Sequence, residues 1–281
     1  FTAIVKTPRS PKYRSYSWGN GHTILPTLSP GAWRFPWDAY RLAAKAYWEQ
    51  GADLVVTQDP FSTGLAGYWL KKRLGLPLCI QVHNDMIGCE WWMRESLVNR
   101  LMEPLGAWLV RRADTVQVVS DTIRNRLMAR GMDPNRSWNI MTGAGIDCSQ
   151  FQQADGTLLR TEALGSRYRQ LVLFMGRLVK QKDLPTLLKA ASLVVKQNPD
   201  TRFLLVGDGE EKATLHGLVK SLGLEDSLAI IQGVGPDEAP KYFAACDLFV
   251  MSSVYEGKAR ALVEAACAAK PIVTTAVSGA N

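Results

Sequence analysis

No apolar run in this sequence approaches the length needed to cross a bilayer as a helix. There is no Cys-x-x-Cys pair either. The five cysteines (Cys79, Cys89, Cys148, Cys246 and Cys267) are odd in number and scattered, which argues against a disulfide framework or a zinc site and for a reducing compartment. The three histidines, His22, His83 and His216, lack metal-ligand spacing, and no pair of acids stands at a strand end to hold a cation, so no metal is expected. Nucleic-acid-binding motifs and their basic–aromatic interleaving are missing too, so nucleic acid is not an expected partner. The opening Phe1-Thr2-Ala3-Ile4-Val5 has neither a Met nor a basic leader, and Ser278 to Asn281 follows a strand-like Pro271–Thr275 just as abruptly. Both ends read as cuts through a longer protein.

What is present fits an ordinary globular protein, with 47% hydrophobic and 21% charged residues, and a length of 281 residues fits two domains. The net charge of +7 is uneven. Residues 1–150 carry 18 Lys/Arg against 12 Asp/Glu, and residues 151–281 carry 15 against 14. The basic first half suits an anionic membrane surface or an anionic acceptor, and equally a plain basic surface. The expected location is the cytoplasm, at the inner face of the membrane.

Short apolar runs and stretches of helical spacing alternate along the chain. In the first half, strands are expected over residues 1–7, 23–28, 52–57, 77–82, 115–119 and 137–141, and helices over 37–50, 63–74, 90–112 and 120–130. Residues 8–21 are expected to form a loop. The 90–112 helix mixes Trp91, Trp92, Leu97, Leu101 and Trp108 with Arg94, Arg100, Arg111 and Arg112, a pattern of core helices and also of interfacial ones. Residues 148–168 are polar and weakly patterned, and read as a linker. Further strands are expected over 170–175, 202–206, 228–232, 247–251 and 271–275, with helices over 184–197, up to 222, over 238–245 and after Gly257. Such alternation predicts the α/β class: two doubly wound, Rossmann-like domains over residues 1–150 and 151–281 that face a cleft.

In open α/β sheets, ligands lie beyond the carboxyl ends of the strands. His83, Gly145, Arg177, Gly207, Gly233 and Glu256 all fall at such ends. Arg177 and Lys182 flank one loop ahead of a helix, which makes a suitable diphosphate site and equally a pair of solvated charges. Glu256 sits in a strand-to-helix turn, with Glu264 expected about two turns into the helix. By spacing alone they are also compatible with two ordinary surface glutamates. Placed around a helix N-terminus that holds phosphates, they could grip hydroxyl groups on either side. Without a metal, Arg177, Lys182 and backbone dipoles would stabilise a leaving diphosphate.

Glu256-x7-Glu264 after Ser253, with Gly176-Arg177-Leu178 and Lys182 upstream, resembles the retaining glycosyltransferases of family four (glycosyl transferases group 1), which have the GT-B fold. Asp59-Pro60, Gly75-Leu76-Pro77, His83, Ala113-Asp114, Gly145-Ile146-Asp147, Val206-Gly207-Asp208-Gly209, Gly233 and Ala244–Asp247 follow in the family's order. The resemblance implies an acceptor-side domain over 1–150 and a nucleotide-sugar domain over 151–281. By it, Arg177 and Lys182, with Arg260 and Ala261, would bind the donor diphosphate. Glu256 would contact the sugar hydroxyls, Glu264 the ribose, and Lys258 and Ala259 would lie beside them. Gly207, Gln232, Gly233 and Val234 would lie on the base side, and His83 would line the sugar site, so that Glu256 and His83 are the catalytic candidates. The implied chemistry is hexosyl transfer from a UDP-, GDP- or ADP-sugar to a glycan or lipid-linked acceptor of the cell envelope, with retention and without cofactor or metal. The leaving phosphate would take the acceptor proton. Lys258-Ala259 departs from the family, which usually has an aromatic or small residue and then Gly; this bears on sugar preference. The family's N-terminal glycine-rich loop and its last helices are also missing from these residues. A GT-B nucleotide-sugar epimerase and a non-catalytic donor-binding paralogue stay open as alternatives.

Overall fold

The computed structural model describes residues 2–7, 15–18, 22–139 and 145–278. The chain forms two compact units, Phe1–Ile140 and Met141–Asn281. In the first, β1 (Thr2–Val5), β2 (Tyr16–Trp18) and β3 (His22–Pro26) make a sheet in the order β1-β3-β2. β1 runs parallel to β3, and β2 antiparallel. β2 lies inside the stretch expected to be a loop, most of which falls outside the described residues. Then come α1 (Phe35–Gln50), β4 (Val55–Thr57), α2 (Ser62–Leu74), β5 (Leu78–Val82), α3 (Glu90–Glu95), α4 (Leu97–Val110), β6 (Thr115–Val118), α5 (Asp121–Ala129) and β7 (Ser137–Asn139). The second sheet is parallel, in the order β4-β5-β6-β7.

That sequential order has a physical consequence. Right-handed crossovers between successive neighbours place α2, α4 and α5 on one face of the sheet. Leu78, Ile80, Val82, Val116 and Val118 bury completely against them. The alternate residues point the other way, and there the sheet carries Gln81 and Gln117 in register, with Gln58, just after β4, bonded to Gln81. β1 and β4 are each an edge strand of their sheet. A cavity of about 200 Å3 lies between them, lined in part by the small residues Ala39, Ala43, Ala46, Ala66 and Gly67 of α1 and α2.

The single helix expected over residues 90–112 is broken at Ser96. Its backbone is extended (φ −157°, ψ 154°), and its Oγ accepts from the amide of Asn99, so it caps α4. The break leaves Trp91, Leu97, Val98 and Leu101 exposed, at 54%, 77%, 66% and 76%.

The second unit opens with α6 (Cys148–Gln152) and α7 (Thr157–Leu164), where a linker was expected. Phe151, Leu164 and Tyr168 bury in the core of this unit, and α6 packs on later helices of the same unit. Three apolar anchors spread among polar residues are too sparse to show as a helical stripe. The compact unit accordingly begins at Met141 and not near residue 150. There follow β8 (Gln170–Met175), α8 (Leu184–Gln197), β9 (Thr201–Val206), α9 (Lys212–Ser221), β10 (Leu228–Ile231), α10 (Ala239–Ala245), β11 (Leu248–Met251), α11 (Arg260–Cys267) and β12 (Ile272–Thr274). All five strands are parallel, in the order β10-β9-β8-β11-β12. Leu171, Leu173, Phe174, Leu205 and Phe249 are fully buried, since helices cover both faces. A disulfide joins Cys148 of α6 to Cys267 of α11, with Cα atoms 5.0 Å apart. This corrects the expectation drawn from the scattered cysteines: their separation of 119 in sequence hides a pairing that only the fold creates. Cys79, Cys89 and Cys246 are free and buried. Among the described residues no helix is long and apolar enough to cross a membrane, and no cluster of acids, histidines and cysteines could hold a metal ion.

Candidate active site

The strand order of the second unit reverses between β8 and β11, which lie side by side although 72 residues separate their ends. Connections leave in opposite directions at such a point and open a crevice at the carboxyl ends of the strands. The loops that flank it here are residues 176–183 after β8 and 252–259 after β11.

Hydrogen bonds lace these two loops together. The amide of Val254 donates to Gln181 O at 2.9 Å, and Ser252 Oγ donates to the carbonyls of Lys182 and Asp183 at 2.7 and 3.1 Å. Gln181 Nε2 donates to Tyr255 O at 2.9 Å and to Glu256 Oε2 at 3.2 Å. Lys182 Nζ pairs with the other carboxylate oxygen, Glu256 Oε1. Both side chains of that ion pair are withdrawn from solvent, Lys182 to 13% and Glu256 to 7% exposure. On the far side, Thr275 Oγ1 donates to Ser253 O, and Ser278 Oγ to Gly257 O. Glu256 is therefore a buried carboxylate in a pinned loop, not an ordinary surface glutamate. Asp183 starts α8 from a left-handed conformation (φ 43°, ψ 49°) that is costly for a residue with a Cβ.

α11 starts at Arg260, so Glu264 stands one turn into the helix and not two. Ala259 precedes it without a side-chain cap, which leaves the amides of Arg260 and Ala261 without intrahelical partners. Ala259 is buried at 3% exposure, Ala261 and Lys258 are half-buried, and Arg260 is exposed. Arg260 Nε lies 3.6 Å from Glu264 Oε1. Burial raises the Glu264 pKa above the ordinary carboxylate value, and the Arg260 charge opposes the rise. Arg177 is exposed and makes no ion pair among the described residues.

The glycines after β8 and β9 serve close backbone packing. A Cβ on Gly207 would lie 1.9 Å from Gly176 O, and one on Gly209 would lie 2.3 Å from Leu178 O. The amide of Leu178 donates to Asp208 O at 2.8 Å, and that of Glu211 to Leu178 O at 3.0 Å. Gly233 adjoins Gly207, with Gln232 exposed and Val234 half-buried beside it. The structure thus gathers Lys182, Glu256 and the start of α11 at the reversal point, and Gly207 and Gly233 at the next strand ends.

His83 belongs to the first unit. It follows β5 and keeps an exposed edge, with Nε2 3.0 Å from Gln58 Oε1 and 3.2 Å from Gln81 Oε1. Gln81 also bonds Gln58 and Gln117, so the imidazole adjoins a row of side-chain amides that runs from the end of β4 across β5 to β6. Partial enclosure lowers its pKa, as desolvation does for a cationic acid. Sequence reasoning missed this row, and missed Gln181. The signal for Gln181 was its place between Lys180 and Lys182, next to a residue already singled out.

Two family models match this chain: "Glycosyl transferase 4-like domain" over residues 7–137 and "Glycosyl transferases group 1" over residues 163–281. The chain belongs to the group 1 glycosyltransferases. This group 1 chain is 27% identical over 222 residues to the alpha-D-kanosaminyltransferase of Streptomyces kanamyceticus, an alignment that covers 76% of this chain and 56% of the relative. It is 21% identical over 247 residues to the alpha-monoglucosyldiacylglycerol synthase of Streptococcus pneumoniae, covering 85% and 55%. It therefore spans little more than half the length of these curated relatives. Among solved structures, Anabaena Alr3699/HepE in complex with UDP and glucose matches with a TM-score of 0.75 and 22% identity, over 92% of this chain and 68% of that one. The fold is that of the GT-B glycosyltransferases.

Proposed function

We propose that this chain carries the donor site of a retaining hexosyltransferase, which moves a sugar from a nucleotide-sugar to a glycan or lipid-linked acceptor. The carrying observation is the Lys182–Glu256 pair at the reversal point, with Glu256 four residues ahead of the uncapped start of α11. Arg177, Lys182 and the amides of Arg260 and Ala261 meet the diphosphate. Glu256 accepts from sugar hydroxyls, Glu264 from the ribose, with Lys258 and Ala259 between them. Gly207, Gln232, Gly233 and Val234 flank the base. The bond from the anomeric carbon to the phosphate oxygen breaks, and the acceptor oxygen bonds to the same face. The acceptor proton passes to the leaving phosphate, so neither a protein nucleophile nor a cofactor enters the reaction. Arg177 and Lys182 supply the positive charge that the leaving diphosphate needs. A lipid acceptor agrees with the synthase relative named above, and with the exposed Trp91, Leu97, Val98 and Leu101 beside Arg94 and Arg100, a surface suited to an anionic membrane.

Melting the protein with UDP-, GDP- and ADP-sugars identifies the donor, since only a ligand of the folded state raises the transition. Transfer by the full-length protein then tests the roles. Glu256→Ala is expected to abolish transfer, and Arg177→Ala to weaken diphosphate binding. Unchanged turnover in both variants refutes the assignment.

A further inference from the structure

We infer that Gln181 is a positioning residue for the sugar end of this site: its side-chain amide orients the Glu256 carboxylate toward the sugar hydroxyls. The inference rests on the donor-site reading above. Gln181 is buried at 7% exposure, in the turn between β8 and α8. Both atoms that its Nε2 reaches, Tyr255 O and Glu256 Oε2, are acceptors, so the partners fix which end of the amide faces them. A carboxylate rotates about its last bond unless both oxygens are held. Here Lys182 holds one and Gln181 the other. The two anchors differ in what a donor does to them. Lys182 is one of the two cations assigned to the diphosphate, so its hold on Glu256 weakens once phosphate oxygens compete for its ammonium. Gln181 has no charge to attract phosphate, and its second N–H is tied to the backbone of the same loop. It is the anchor that persists when donor binds, and it keeps Glu256 aimed at the sugar while Lys182 turns to the phosphates.

The test compares a nucleotide with its sugar conjugate. UDP and UDP-glucose, and GDP and GDP-mannose, are titrated against wild type, Gln181→Met (similar length, no N–H) and Gln181→Glu (same shape, no donor, like charge). Wild type is expected to bind one conjugate more tightly than its nucleotide. In Gln181→Met the nucleotide affinity stays within about twofold, and the advantage of the conjugate falls about tenfold, the size of one charge-assisted hydrogen bond. Gln181→Glu loses more, because a carboxylate faces Glu256. Adding Gln181→Met to Glu256→Ala costs nothing further, since the two act as one unit. Equal losses for nucleotide and conjugate would mean that Gln181 only supports the loop, and no loss would remove it from the site; either result overturns the inference. If wild type gains nothing from the sugar of any conjugate, the donor-site reading itself fails.

Discussion

The buried pair of Lys182 and Glu256 makes a prediction that separates an ion pair from its parts. With side chains exposed to only 13% and 7%, neither charge has water to fall back on. Removing one member strands the other. Buried pairs lose 3–5 kcal/mol in that way, and because Gln181 still bonds Glu256, the low end, about 3 kcal/mol, is expected for Lys182→Met. For a unit of this size that is roughly 9 °C in melting temperature. Glu256→Leu should cost a similar amount by stranding Lys182. The double variant should recover to within about 1 kcal/mol of wild type, because two apolar side chains need no compensation. The molecule offers a way to tell the two units apart. All nine tryptophans lie at or before position 138, so indole fluorescence follows the first unit, whereas circular dichroism follows both. The single variants should lower the dichroism transition and leave the fluorescence transition in place. Two single variants of unchanged stability, or a double variant that loses the sum of both, would refute the reasoning.

Gly207→Ala should destabilise the second unit by about 2 kcal/mol or more, because the backbone carbonyl of Gly176, 1.9 Å from the new methyl position, cannot yield to it, whereas Gly217→Ala, in an exposed turn of α9 with open space around it, should stabilise by about 0.5–1 kcal/mol. Denatured, unreduced protein should titrate three thiols, and reduced protein five; five before reduction would rule out the Cys148–Cys267 bond. Burial pushes the Asp85 carboxyl up to about 6 against the pull of Arg126, 3.2 Å away. The folded state then holds this proton where the unfolded state has lost it, so the stability of the first unit should fall by about 3 kcal/mol as pH rises from about 4 to 6. Asp85→Asn should flatten that slope in the fluorescence transition, and an unaltered slope would exclude Asp85 as its source. Leu97→Asp with Leu101→Asp should weaken co-sedimentation with anionic vesicles about tenfold or more, as the loss of two exposed leucines implies, and equal sedimentation would take the membrane surface away from α4.

Much of this was legible in the sequence, because the strands of parallel sheets are short apolar runs and their helices carry one apolar stripe. The helix over 184–197 and the strand over 170–175 follow from periodicity to the residue. So does the end of α2, where Gly75 takes a left-handed conformation and its amide bonds Lys71 O. The family was legible too, in the ordered motifs from Asp59 to Glu264. What the sequence did not reveal depends on contacts between distant residues. Ser96 breaks a helix that its apolar content favours, because its hydroxyl caps the next one. α6 and α7 exist because Phe151, Leu164 and Tyr168 find a core supplied in part by residues about a hundred positions away and more. Spacing left Glu256 an ambiguous turn residue; it became a held carboxylate only when the sheet brought β8 beside β11, and with it Lys182 and Gln181. Local periodicity is set by neighbours in the chain and can be read there. The partners of a buried charge are set by strand order, and only the folded sheet decides which loops share a crevice.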